Sequence, residues 1–181
     1  MGEIEWIRPP RLREVVAAYQ GFAQSAGVRT GLVDQLVACS SDDPAKALAD
    51  WAGRPSVQPD LVSRQSARSP GKIRSQGPGA LIWALPAAVQ RLEADRIREL
   101  VELTHGPGSP AADAVIVLAE HLFTGAELDP PEADPCTAAG ALAQAVRGEG
   151  RGVARAIAGA LKGGPQHEIA QVAEELYRRS W

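Results

Sequence analysis

An all-α fold follows from three observations. Alanine is frequent while β-branched and aromatic residues are sparse, the aromatics making up only 4% of the chain, and that balance favours helix over sheet. Apolar residues recur at helical spacing in one segment after another, and nothing reads as a strand. Proline-bearing start signals, Asp43-Pro44 and Ser109-Pro110, stand before two of those segments, where proline at the first helical position is preorganised and loses no hydrogen bond.

The 181 residues, 45% of them hydrophobic, suit one domain spanning 1–181 and suffice to bury most of the apolar surface of the unfolded chain. A net charge of −3 and a pI near 5.6 give no overall attraction to nucleic acid or to an anionic membrane. The basic residues are arginine except for Lys46, Lys72 and Lys162. No apolar run approaches the ~18 residues of a membrane span, and the first ten residues have neither a basic nor an apolar leader region. A cytoplasmic protein is therefore expected, with Cys39 and Cys136 as free thiols.

In chain order, a lead-in ends at Pro9-Pro10, and Leu12, Val15, Val16, Tyr19 and Phe22 then trace one helical face. A second helix is expected from about Gly31, and a third from Asp43-Pro44 with Leu48 and Trp51 on its inner side. Gly53 to Arg74 breaks the pattern. Prolines 55, 59 and 70 interrupt it, and Arg54, Arg64, Arg68, Lys72 and Arg74 face only Asp60. This segment is expected as a basic loop, either a surface excursion or an anion-attracting lid. Ser109-Pro110 opens a helix carrying Ala111, Val115, Leu118, Ala119 and Leu122. Gly125 to Pro135 is a proline- and acid-rich connection. A helix from about Thr137 to Val146 follows, then glycines at 148, 150 and 152, an alanine- and glycine-rich helix from Ala154 to Leu161, and a last amphipathic helix with Ile169, Val172, Ala173, Leu176 and Tyr177.

The most informative stretch is Ser75 to His105, a glycine-rich entry, two apolar-periodic helices and a Thr-His end. Gly77-Pro78-Gly79 is a tight turn that lets a helix start abruptly at Ala80 and exposes its first N–H groups, either as a plain helix entry or as part of a ligand loop.

Ser75-Gln76-Gly77-Pro78-Gly79-Ala80-Leu81, with Pro86 beyond it, resembles the Ser-x-Gly-Asn-Gly-Ala-Leu-Met-Arg-x-x-Pro segment of the ADP-ribosylglycohydrolase family, which includes the dinitrogenase-reductase-activating glycohydrolases. Thr104-His105 falls where that family has Thr-His. Ala141 to Val146, Gly148, and Ala156-Ile157-Ala158-Gly159-Ala160-Leu161 resemble its helix, its Gly-Gly-Asp-x-Asp-Thr loop and its Ala-Ile-Ala-Gly-Ala-Leu helix. These segments cover about half the chain, and the resemblance implies a compact multi-helix orthogonal bundle.

The resemblance also implies what has been lost. The family's last loop supplies two aspartates and a threonine to a pair of magnesium ions, and the corresponding positions here are Gly150, Gly152 and Val153. The family's Thr-Asp-Asp-Thr motif corresponds to Gly27-Val28-Arg29-Thr30, again without carboxylates. Pro78 replaces the asparagine, Ala84 the arginine, and the N-terminal Gly-Asp-Ala motif has no counterpart. Magnesium takes near-octahedral oxygen ligands, which glycine and valine side chains cannot offer. No metal and no cofactor are expected, and a hydrolysis that relies on a two-metal clamp should fail.

The polar residues left around the implied cleft are Arg29, Gln76, Gly77, Gly79, Thr104 and Arg151 as ligand-binding candidates, with Glu149 and His105 as the acid–base candidates. Guanidinium pairs with phosphate or carboxylate in a bidentate way, so an anionic small molecule is one expected ligand and a protein partner the other. Each residue also has a plainer reading. Glu149 and Arg151 would make a solvated loop pair, and His105 would cap a helix C-terminus. His121 and His167 match no zinc spacing, and Trp83 would be core. The leading expectation is a non-hydrolytic binding or regulatory protein. Its rivals are a metal-independent enzyme using Glu149 and His105, and a purely structural subunit.

Overall fold

The computed structural model describes residues 41–55, 61–89 and 92–161. Among the described residues are seven α-helices and one 3-10 helix, with no strand. The helices are α1 (Pro44–Ala52), α2 (Leu61–Arg68), the 3-10 helix Pro78–Trp83, α3 (Ala84–Val89), α4 (Ala94–His105), α5 (Ala111–Thr124), α6 (Ala138–Val146) and α7 (Val153–Leu161). The expected helices around Leu12–Phe22, after Gly31 and over Ile169–Tyr177, together with Arg29, Cys39 and His167, lie outside the described residues. No helix among those described is long and apolar enough to cross a membrane.

The start of α1 follows its sequence signal. Asp43 caps it by accepting the Lys46 amide on Oδ1 at 3.0 Å, and Pro44 opens the first turn. Leu48 and Trp51 lie buried on its inner face beside Ala67 of α2. Thr137 caps α6 in the same way, taking the Gly140 amide on Oγ1 at 3.1 Å. At α5 the regular helix begins at Ala111, with Pro110 at the cap position. Ser109 Oγ still accepts the Ala111 amide at 3.3 Å, so the hydroxyl serves the first turn although the helix starts one residue later than Ser109-Pro110 implies, a shift within the usual spread of helix ends.

Two expectations are corrected. The segment from Gly53 to Arg74 is not a structureless loop, because Leu61–Arg68 is helical and packs against α1 and α4. Its low hydrophobicity hid it: α2 reads LVSRQSAR, and a helix of eight residues that buries Ser66 offers almost no apolar stripe to detect. The entry at Gly77-Pro78-Gly79 leads into a 3-10 turn over Pro78–Trp83, and α-helix starts only at Ala84. Short 3-10 runs are common at helix starts, where i→i+3 bonds tighten the first turn.

The main core joins the 3-10 helix, α3, α4, α5, α6 and α7. Trp83, Leu81, Leu100, Leu118, Leu142 and Ile157 are its largest fully buried side chains. α5 packs on α3, α4, α6 and the 3-10 helix, while α6 and α7 pack on each other and on the 3-10 helix. Alanines at 138, 141, 145, 154 and 158 are buried in this core, and small side chains of that kind let helix axes approach closely.

Candidate functional site

The C-terminus of α4 is the centre of the polar structure. The last four carbonyls of an α-helix have no partner within the helix, and here each one finds a donor. Gly106 N donates to Glu102 O at 3.0 Å, Gly71 N to Leu103 O at 3.0 Å, and Ser75 N to His105 O at 2.9 Å. Ser66 Oγ of α2 donates to Thr104 O at 3.1 Å. The strap from Ser69 to Gln76 is thereby fixed along the end of α4. Ser109 Oγ closes it from the other side by donating to Ser75 O at 2.7 Å, and Arg74 Nη1 donates to Pro107 O at 3.0 Å.

Beneath the strap, Trp83 Nε1 donates to Thr104 Oγ1 at 3.1 Å, and Thr104 Oγ1 lies 2.7 Å from His105 Nδ1 and 3.3 Å from Val101 O. Trp83, Thr104 and His105 are 2%, 2% and 4% exposed. A hydroxyl has one proton and two acceptor positions. With Trp83 on one of those positions, the proton goes either to His105 Nδ1 or to Val101 O. In the second case the imidazole donates from Nδ1 into the remaining position. Either arrangement leaves no donor stranded, so the cluster is a satisfied buried network, which holds its members in one geometry.

Of the residues singled out in the sequence, Gln76, Gly77, Thr104 and His105 converge here, with Gly79 in the adjoining 3-10 helix. Their availability is narrower than the sequence implied. The Gly77 amide, one of the exposed donors expected at the glycine-rich entry, is taken by Ser75 Oγ at 3.1 Å. Gln76 is exposed, and its carbonyl accepts the Ala138 amide at 2.8 Å, so it joins the strap to the start of α6.

Glu149 and Arg151 stand at the other end of α6, in the loop Arg147–Gly152. Nine helical residues span about 13 Å, so this much helix separates the Gln76 contact from the loop that carries Glu149. Both are exposed. The expected Glu149–Arg151 pair is corrected: Glu149 Oε2 pairs with Arg147 Nε at 3.1 Å, and Arg147 also holds Glu132. The Arg147 guanidinium forms a fork between two carboxylates, one from the proline-rich connection and one from the loop. Gly148, Gly150 and Gly152 all have positive φ, at 74°, 95° and 56°, which explains a loop with glycine at every second position.

His121 also has a structural role, its Nδ1 lying 2.7 Å from Ala126 O just past the end of α5. Cys136 is a free, exposed thiol. Among the described residues no three His, Cys, Asp or Glu side chains are grouped so as to hold a metal ion.

Sequence reasoning missed Ser66, Ser75 and Ser109 as members of the Thr104–His105 network. Ser66 and Thr104 are separated by 38 positions, and a lone serine in a polar helix carries no signal of such a partner. The chain matches no family model, no curated protein and no solved structure.

Proposed function

We propose that this chain is a non-hydrolytic binding or regulatory protein, an ADP-ribosylglycohydrolase-like scaffold without the magnesium ligands, that takes an anionic nucleotide-like ligand or a protein partner. The observation that carries the reading is the state of the two acid–base candidates. Glu149 lies exposed in the fork of Arg147, past the C-terminal end of α6. His105 is buried against Thr104 at the end of α4, whose strap meets the N-terminal end of α6. A general acid or base has to come within hydrogen-bond reach of the proton it moves, and a carboxylate held in an ion pair in water is a charge partner first. Gly150, Gly152 and Val153 add no oxygen ligands to the loop.

The test has two arms. Calorimetry with ADP-ribose and with magnesium should show no stoichiometric magnesium binding of micromolar affinity, and a modified protein substrate should release no ADP-ribose when magnesium is added. Glu149→Gln combined with His105→Gln should leave ligand affinity and any dependent cellular activity in place wherever folding is retained. Loss of that activity with folding and affinity intact would establish the rival reading, a metal-independent enzyme.

A further inference from the structure

We propose that the outer face of α2 and its strap, presenting Arg68, Lys72, Arg74 and Gln76, docks an extended acidic segment of a protein partner with carboxylates at every second residue. The inference shares the strap and Gln76 with the candidate site but rests on the exposed cations Arg68, Lys72 and Arg74, not on the function proposed above.

Residues 61–92 contain no aspartate or glutamate. Arg68, Lys72 and Arg74 are all exposed, and among the described residues none of them enters an ion pair. Arg74 spends one donor on Pro107 O and keeps the rest of its guanidinium. The geometry groups these cations. Lys72 N donates to Ser69 O at 3.2 Å, and Gly71 has a φ of +72°. With Pro70 before it, this is a type II turn, which brings Ser69 and Lys72 within about 7 Å at Cα and returns the chain beside the end of α2. From Gly71 to Gly77 exposure then alternates, with Lys72, Arg74 and Gln76 outside and Ile73 and Ser75 partly buried. That is the period of an extended chain, in which residues i and i+2 share a face about 6.5–7 Å apart.

A plain structural account exists and falls short in magnitude. Arg68 ends α2, and the strap covers the end of α4, so the cations complement two helix C-termini. Each terminus carries about half a negative charge, which leaves about two of the three positive charges unanswered. Of the three α4 carboxylates, Asp95 lies in the first turn at the opposite end of the helix, Glu99 pairs with Arg96 at 2.8 Å, and Glu102 Oε1 accepts the Gly108 amide at 3.0 Å.

The same face argues against other polyanions. Trp51 and Trp83 are buried, so neither can serve as a base-stacking platform. Three cations are few against the phosphate contacts that hold duplex DNA to proteins of opposite net charge, and this chain carries −3. Among the described residues the exposed large apolar side chains, Val117 and Val146, belong to α5 and α6, so none of these stands beside this face as the apolar anchor a membrane-surface site uses. An extended acidic peptide matches the spacing: its alternate carboxylates repeat at the same 6.5–7 Å as Lys72 and Arg74, and clustered arginines are the usual readers of acidic motifs.

The experiment is fluorescence anisotropy on the full chain with a short labelled peptide of alternating glutamate and serine. Raising salt from about 50 to about 300 mM should weaken binding about tenfold. Arg68→Glu with Lys72→Glu, side chains that hold no other element in place, should weaken it by about tenfold or more while the thermal melt stays within a few degrees of wild type. A peptide of equal composition with its glutamates in one block should bind less tightly. The proposal is overturned by equal binding of the block peptide, by salt-independent binding, by an unchanged double variant, by tighter binding of oligothymidine or of phosphatidylserine vesicles, or by no binding at millimolar protein in low salt. If the double variant fails to fold, the salt series and the block peptide on the wild-type chain still decide the matter.

Discussion

The indole nitrogen of Trp83 donates to the hydroxyl of Thr104 at 3.1 Å, and this one bond ties the 3-10 helix to the last turn of α4 inside the core. Because Thr104 Oγ1 also faces His105 Nδ1, Thr104→Val removes the partner of two buried nitrogens while almost preserving shape. A stranded buried group costs about 1–3 kcal/mol, so urea unfolding should show a loss of about 2–4 kcal/mol. In a cycle with Trp83→Phe, the double variant should lose less than the sum of the two single losses.

Ser66→Ala tests the far end of the same arrangement. It removes the side-chain donor that, among the described residues, reaches Thr104 O from 38 positions away in sequence. The expected cost is about 1–2 kcal/mol. Hydrogen exchange should speed up at the strap amides Gly71 and Ser75, which depend on the same seating of α2 against α4.

Gly106 sits at φ +90°, and a Cβ placed on it would lie 2.1 Å from Ile73 O. Gly108, two residues on, has φ +67° and open space around it. Gly108→Ala should therefore cost only the left-handed backbone strain, about 1 kcal/mol. Gly106→Ala must in addition push the strap off α4, and thermal melts should show a several-fold larger loss or a failure to fold.

Arg147 joins Glu132 and Glu149 in water, each carboxylate more than half exposed. Replacing Glu149 by Gln should change stability by less than about 1 kcal/mol, as for other exposed pairs. A loss well above that in chemical denaturation would mean the fork holds the α6–α7 loop in place.

Lys46 titrates above the ordinary lysine value of 10.5, first through its hydrogen bond to the Asp50 carboxylate and then through that group's charge. A raised folded-state pKa stabilises the fold fully below the unfolded value and loses that contribution as pH climbs through the folded one. The stability difference between wild type and Lys46→Gln should thus be flat from neutral pH to about pH 9 and shrink only above the ordinary lysine pKa.

The sequence by itself determined the helical class, and it placed α1, α5, α6 and α7 to within a residue or two. Their signals are local: Asp43-Pro44 and Thr137 cap within three residues, and apolar spacing marks the buried faces of α5 and α6. It also identified Trp83 as core. Only the tertiary structure decided the rest. α2 became a helix because it seats against α1 and α4, an arrangement its polar sequence does not advertise. The glycine-rich entry became a 3-10 turn with its Gly77 amide already used by Ser75. His105, in the last turn of α4, was drawn into a buried network with Thr104 and Trp83, and Glu149 took Arg147 instead of Arg151, because partners are set by which chain ends the packing brings together. Carbonyls at the end of α4 must find donors wherever the fold supplies them, and those donors, Ser66, Gly71 and Ser75, lie 30 to 38 positions away, beyond the reach of any local pattern.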